Sequence, residues 1–167
     1  MRIGILSDSH GRAAMTAAAV RILTDHGAGI LIHLGDLGSE AVIDELAGHN
    51  ARAVLGNCDW PAEALRRHAL SVGVTIDHPF GLLVADGKTI AFTHGHDEPA
   101  VEAALASGCQ YLLFGHTHEV RDEVIDGVRW INPGALFRAT RYTAAVLDPA
   151  SDRLEILDVP RLAQSFA

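Results

Sequence analysis

Long hydrophobic runs are absent from this chain. None approaches the roughly 18 apolar residues of a membrane span, and the apolar stretch in Met-Arg-Ile-Gly-Ile-Leu-Ser-Asp is far too short for a signal peptide. The expectation is a cytoplasmic protein with no membrane partner. Cysteine is scarce as well: only Cys58 and Cys109 occur, without CxxC spacing, which excludes a disulfide framework and leaves two separate thiols, Cys109 as a packing residue. Basic charge is short too, with 13 Lys and Arg against 21 Asp and Glu and a formal charge of -8. That balance excludes general nucleic-acid binding through a basic footprint. Repeats, low-complexity tracts and linkers are missing, so the 167 residues are expected to form a single domain, 1–167. What the chain has in surplus is histidine, ten residues beside those 21 acids, a stock of imidazole and carboxylate ligands.

The first half alternates short apolar runs with amphipathic stretches, the pattern of strands and helices around a parallel sheet. Arg2 to Ser7, Ile30 to Leu34 and Ala51 to Leu55 read as strands. Arg12 to His26, a stretch capped by Ser39 with Val42, Ile43 and Leu46 on one face, and Ala62 to Arg67 after an Asp59/Pro61 entry read as helices. In the second half strands are expected to pair with nearest neighbours. Leu82 to Ala85 and Thr89 to Thr93 flank Asp86-Gly87, and Glu123 to Ile125 and Val128 to Ile131 flank Asp126-Gly127. A hairpin of Thr143 to Leu147 and Leu154 to Val159 closes the pattern, after a helix from Pro99 to Ser107 and a strand from Tyr111 to Phe114. So many strands favour two packed sheets with helices outside, an α/β domain.

Five polar clusters follow apolar runs: Asp8-Ser9-His10-Gly11, Gly35-Asp36, Gly56-Asn57-Cys58-Asp59, Thr93-His94-Gly95-His96 and Gly115-His116-Thr117-His118. Ligands of open α/β sheets bind beyond the carboxyl ends of the strands, so these clusters can converge. The adjoining glycines let the backbone crowd a preformed pocket. Asp8, His10, Asp36, Asn57, His94, His116 and His118 are seven oxygen and imidazole donors, more than one ion needs, and they suit two divalent ions bridged by a carboxylate, for which Asp36 is the candidate.

In this order the clusters resemble the signature of the calcineurin-like metallophosphoesterase superfamily, D-x-H, G-D, G-N-[HC]-[DE], H and G-H-x-H, followed here by Asn132-Pro133-Gly134. The resemblance is closest to its small single-domain prokaryotic phosphodiesterases. It implies a four-layered α/β/β/α sandwich of two mixed sheets flanked by helices. It also implies one ion on Asp8, His10, Asp36 and His118, and a second on Asp36, Asn57, His94 and His116. The implied cofactors are two divalent metal ions, manganese in first place and nickel, zinc, iron or magnesium as alternatives. The implied reaction is hydrolysis of a small organic or nucleotide phosphodiester by in-line attack of a metal-bridging hydroxide. Two alternatives accompany it: a protein-binding scaffold like the retromer subunit of this fold, and a phosphomonoesterase. Homo-oligomerisation is left open.

The chain departs from its relatives at two places. Cys58 stands where many carry a histidine able to protonate the leaving oxygen, and near two cations a thiol leans toward thiolate. Good leaving groups should therefore be favoured, with His96 as a substitute helper. Asn132-Pro133-Gly134-Ala135 lacks the serine that usually ends that motif. The catalytic candidates are thus Asp36, Asn57, His96 and Cys58. Weighed against them are plainer readings. Asp8 could cap a helix, Asn57 alone reads as a turn residue, His116 and His118 could be surface loop residues, and His96 is either a supporting group or an exposed loop imidazole. His33 reads as a structural hydrogen-bonding group behind the site, while His26, His49, His68 and His78 read as surface or turn residues. Asp59 either orients a site residue or caps a helix; Arg138 and Arg141 either clamp a phosphate or are solvated; Trp60 and Phe137 either stack on a substrate or pack.

Overall fold

A computed structural model describes residues 1–161; the expected domain extends further, into residues 162–167, which lie outside the described residues. The chain runs β1 (Arg2–Leu6), α1 (Ala13–Asp25), β2 (Ala28–His33), α2 (Glu40–Asp44), β3 (Ala51–Ala53), α3 (Ala62–Ser71), β4 (Thr75–Ile76) and β5 (Phe80–Ala85). It continues through β6 (Lys88–Thr93), α4 (Glu98–Ala106), β7 (Tyr111–Leu113), β8 (Val120–Ile125), β9 (Val128–Pro133), β10 (Thr143–Asp148) and β11 (Arg153–Asp158). Six strands form one sheet in the order β11-β10-β1-β2-β3-β4, and five form the other in the order β5-β6-β7-β9-β8.

The period-two alternation of strand side chains builds the layers. Ile3 and Ile5 of β1, Ile30 and Ile32 of β2, and Ala145 and Leu147 of β10 meet Ile90, Phe92, Tyr111 and Leu113 between the two sheets. The intervening residues Leu6, Leu31, Ala144 and Val146 face the other way, onto Met15, Ala19 and Leu23 of α1 and Val42 and Ile43 of α2. On the far side Ala91 and Leu112 pack with Ala104 of α4 and with Cys109, whose expected packing role holds. Three apolar layers thus separate helices, sheet, sheet and helix, the expected four-layered α/β/β/α sandwich. Phe92, with no exposed surface, contributes about 2–3 kcal/mol by its burial. Both cysteines are free, Cys58 exposed and Cys109 buried. Among the described residues no helix is long and apolar enough to cross a membrane.

Three expectations need correcting. Nearest-neighbour pairing holds for the three hairpins, but β6, β7 and β9 are mutually parallel, and β10 lies antiparallel to β1, so the last hairpin extends the first sheet. Apolar Ala144 to Leu147 gains buried surface on both faces there. The α3 helix runs past Arg67 to Ser71, because Leu65 and Ala69, one turn apart, bury a single face. Ser39 occupies the N-cap position of α2 without making a side-chain capping bond, and its hydroxyl is buried without a partner. Short or polar edges were not foreseen: the two-residue β4, and the first half of β8, where exposed Arg121 and Asp122 mask the strand.

Candidate metal centre

The parallel strands β1, β2 and β3, and β6 and β7 in the second sheet, each end at one of the five polar clusters. Five of the seven candidate ligands take a left-handed backbone there: Asp8 (φ 55°), His10 (45°), Asp36 (54°), His116 (67°) and His118 (61°). Such conformations cost on the order of 1 kcal/mol or more for a non-glycine residue and concentrate at functional sites. Backbone hydrogen bonds hold them: Asp8 N–H donates to Gly35 O at 3.0 Å and His10 N–H to Asp36 O at 2.9 Å. Glycines give these turns room. A β-carbon on Gly56 would strike the Asp36 carboxylate, and one on Gly115 would strike Ser7 and Asp8.

Asp36 faces two ways. Its Oδ2 lies 3.4 Å from His10 Nε2, and its Oδ1 lies 3.5 Å from His94 Nε2 and accepts the Cys58 N–H at 2.9 Å. Burial pushes this carboxyl up, but the Cys58 N–H and the imidazoles of His94 and His10 outweigh it and hold Asp36 below the usual carboxylate range. On the Oδ2 side, His118 Nε2 stands 3.1 Å from Asp8 Oδ1 and 3.4 Å from His10 Nε2. Burial lowers the His10 pKa despite the nearby Asp36 and Asp8, favouring the neutral ring that a ligand needs. On the Oδ1 side, His94 Nδ1 lies 2.7 Å from Leu34 O, so Nδ1–H donates to that carbonyl and Nε2 presents its lone pair, 3.2 Å from Asn57 Oδ1.

The donors suit a divalent cation. Asp8 Oδ2 accepts from Ser7 Oγ at 2.6 Å and His116 N–H at 3.1 Å, whereas Asp8 Oδ1 is buried without a hydrogen-bond partner in the midst of these groups. An orphaned buried carboxylate oxygen is costly, and a bound cation satisfies it. Potential ligand atoms cluster in three sets: Asp8, His10 and His118; Asp8, Asp36 and His94; and His10, Asp36 and Cys58. His116 joins none of these sets, though its ring packs edge-on against His94 with centroids 5.2 Å apart. Exposed His96 lies with its ring 5.2 Å from His94 and 6.0 Å from His116. Its pKa is lowered by burial and then by those two imidazoles. Cys58, considered from sequence only as a histidine replacement, lies among the ligand atoms. Partial burial and the negative charge of Asp36 push its thiol up, opposite to the shift expected from cations alone.

The packed chain also reveals positioning residues. Asp59 is buried and caps no helix; its Oδ1 accepts from Gly38 N–H and its Oδ2 from Gly56 N–H, both at 2.8 Å, tying the Asp36 loop to the Asn57 loop. Asn132 Nδ2 donates to Gly115 O at 2.9 Å and to Thr117 Oγ1 at 3.1 Å, while its Oδ1 accepts from Gly134 N–H. It thereby anchors the loop that carries His116 and His118. His33 is structural, as expected: Gly35 N–H donates to its Nδ1, which leaves Nε2–H to donate to Ser9 Oγ at 2.8 Å. Trp60, 81% exposed, is not a core residue. Arg141 is held by Asp158 and cannot serve as a free clamp. A groove of about 210 Å³ opens beside His118, between Glu119 and Val120 and the 139–143 segment.

Comparison with known proteins agrees with this geometry. Residues 1–152 match the calcineurin-like phosphoesterase superfamily domain. The chain is 35% identical over 138 residues to a phosphodiesterase of Methanocaldococcus jannaschii, covering 80% of this chain and 83% of that protein. It is 30% identical over 145 residues to a probable metallophosphoesterase of Bacillus subtilis, covering 81% and 75% respectively. The solved structure of an archaeal phosphodiesterase superposes with a TM-score of 0.84 at 31% identity, covering 95% of this chain and 99% of that one.

Proposed function

This chain belongs to the calcineurin-like phosphoesterase superfamily, hydrolases of phosphoric esters, and from that premise we propose that it is a phosphodiesterase of small organic or nucleotide phosphodiesters built on two divalent ions. Asp8, His10, Asp36 and His118 would hold one ion, and Asp36, Asn57, His94 and His116 the other. The observation that carries this reading is the two-sided environment of Asp36, with His10 at one carboxylate oxygen and His94 at the other. When bound, such ions supply Lewis acidity at the phosphoryl oxygens and lower the pKa of a water nucleophile.

The protein's own contribution is orientation. Leu34 O selects the His94 tautomer, Cys58 N–H turns Asp36, Ser7 Oγ and His116 N–H turn Asp8, and Asp59 and Asn132 pin the loops. These bonds exist before substrate arrives, so little reorganisation is left for the reacting complex. With Cys58 in place of an imidazole, esters that leave without a proton are the favoured substrates.

The test combines elemental analysis of purified protein with hydrolysis of aryl phosphate mono- and diesters after manganese, nickel, zinc or magnesium is added back. Metal-dependent hydrolysis with diesters preferred supports the proposal, and a monoester preference replaces it with phosphomonoesterase. Because Asp36 is shared, Asp36→Asn should lower metal content and hydrolysis together. Full activity at full metal occupancy in that variant would overturn the assignment.

A further inference from the structure

The loop after β9 sets Phe137 against His10, with ring centroids 5.1 Å apart. Two guanidinium groups lie over that same phenyl ring, Arg12 at 4.4 Å and Arg138 at 5.1 Å from its centroid. Among the described residues neither forms a salt bridge or a side-chain hydrogen bond, whereas Arg2, Arg52, Arg129 and Arg141 all meet carboxylates. In a chain of formal charge -8, two uncompensated cations beside a candidate ligand are an unusual placement.

Local structure disfavours both. Arg12 is the N-cap residue of α1, at the positive end of the helix dipole, and the first turn offers no acidic side chain. Arg138 has φ 47°; among the described residues the other non-glycine positions with positive φ are five candidate ligands and the turn aspartates Asp86, Asp126 and Asp152. A bulky residue in that region stores strain of about 1 kcal/mol or more, and such strain persists where function requires the side chain's direction. With two cations over it, Phe137 serves as a platform that orients them and leaves charge, not a base, as the feature to be read.

We propose that Arg12 and Arg138, oriented by Phe137, form an anion subsite for a second phosphate of the substrate, one aromatic ring away from the scissile phosphodiester. The substrate class is then a phosphodiester that carries a further phosphate group. This rests on the phosphoesterase reading of the metal centre. A guanidinium bonded to a phosphate contributes enough to set about a tenfold preference.

Two chromogenic esters that differ only in that group provide the test: the p-nitrophenyl ester of thymidine 5'-phosphate, with and without a 3'-phosphate. The metal-loaded protein should show a kcat/KM about tenfold higher for the ester carrying the 3'-phosphate, mainly through KM. The ratio should fall toward one in Arg12→Ala and in Arg138→Gly, the latter chosen because glycine relieves the strained backbone while removing the cation. Equal kcat/KM for the two esters in the native protein, or a ratio retained in both variants, overturns the subsite. Calorimetric titration with thymidine 3',5'-bisphosphate and thymidine 5'-phosphate decides the same point without turnover. Tighter binding of the bisphosphate, lost in the variants, upholds the subsite even if no ester is hydrolysed, and that second result would overturn the phosphodiesterase reading instead. Equal binding of the two nucleotides overturns the subsite.

Discussion

His33 lies fully buried beneath the candidate metal centre, and burial holds its pKa at about 3, well below the ordinary 6.5. The unfolded chain therefore takes up a proton between those values that the folded chain refuses. Its contribution to stability is present above pH 6.5 and is lost as the pH falls toward 3, on the order of a few kcal/mol over the window. Urea unfolding of metal-stripped protein between pH 7 and 4 should show a steeper loss of stability in the native chain than in His33→Gln, which cannot titrate; identical slopes would refute this. Cys58 poses the complementary question of a missing proton donor. Replacing it by histidine puts an imidazole beside Asn57, and Cys58→His should raise kcat for alkyl relative to aryl diesters. An unchanged alkyl-to-aryl ratio at equal metal content would show that position 58 does not reach the leaving group. The ligand candidates were legible as residues because each falls in a short polar cluster that contains a glycine and follows an apolar run. For Asp59 the orienting role was one of two readings and for Asn132 none was made, because their partners Gly38 and Gly115 lie far away in sequence.

At the scale of elements, α1 illustrates a conflict between local and global demands. Serine or aspartate is the favoured N-cap, and a cation there opposes the helix dipole. Arg12→Ser should stabilise the folded state by about 1 kcal/mol, read as a rise in Tm, while lowering the preference for the doubly phosphorylated ester. A lower Tm would indicate that Arg12 is needed for packing against Phe137. The turn-forming residues made other elements readable in advance. Asp86-Gly87 and Asp126-Gly127 both have positive φ at the two positions where a two-residue hairpin turn requires it. Edge strands were harder. In β8 only the pairing with β9 distinguishes Val120 to Asp122 from a polar loop.

At the scale of the molecule, a site that gathers imidazoles and carboxylates at the strand ends should report cation binding directly on stability. With a preferred divalent ion at a hundredfold excess over its Kd, the protein should gain about 2.7 kcal/mol against unfolding. Chelation should reverse the gain, and Asp36→Asn should largely abolish it. Equal metal-induced shifts in both proteins would place the binding elsewhere on this acidic chain.

The amino-acid order by itself set out the candidate ligands and the layer pattern. A ligand residue after an apolar strand, a glycine beside it and the alternation of Ile3, Ile5, Ile30 and Ile32 are all local features, set by side-chain size, polarity and strand period. Only the tertiary structure decided that β10 lies beside β1, that Asp36 stands between His10 and His94, and that Arg12 and Arg138 each lie over the Phe137 ring. Those relations depend on how sheets and loops pack across long stretches of chain, where each contact exists only because the buried layers beneath it have fixed the distance.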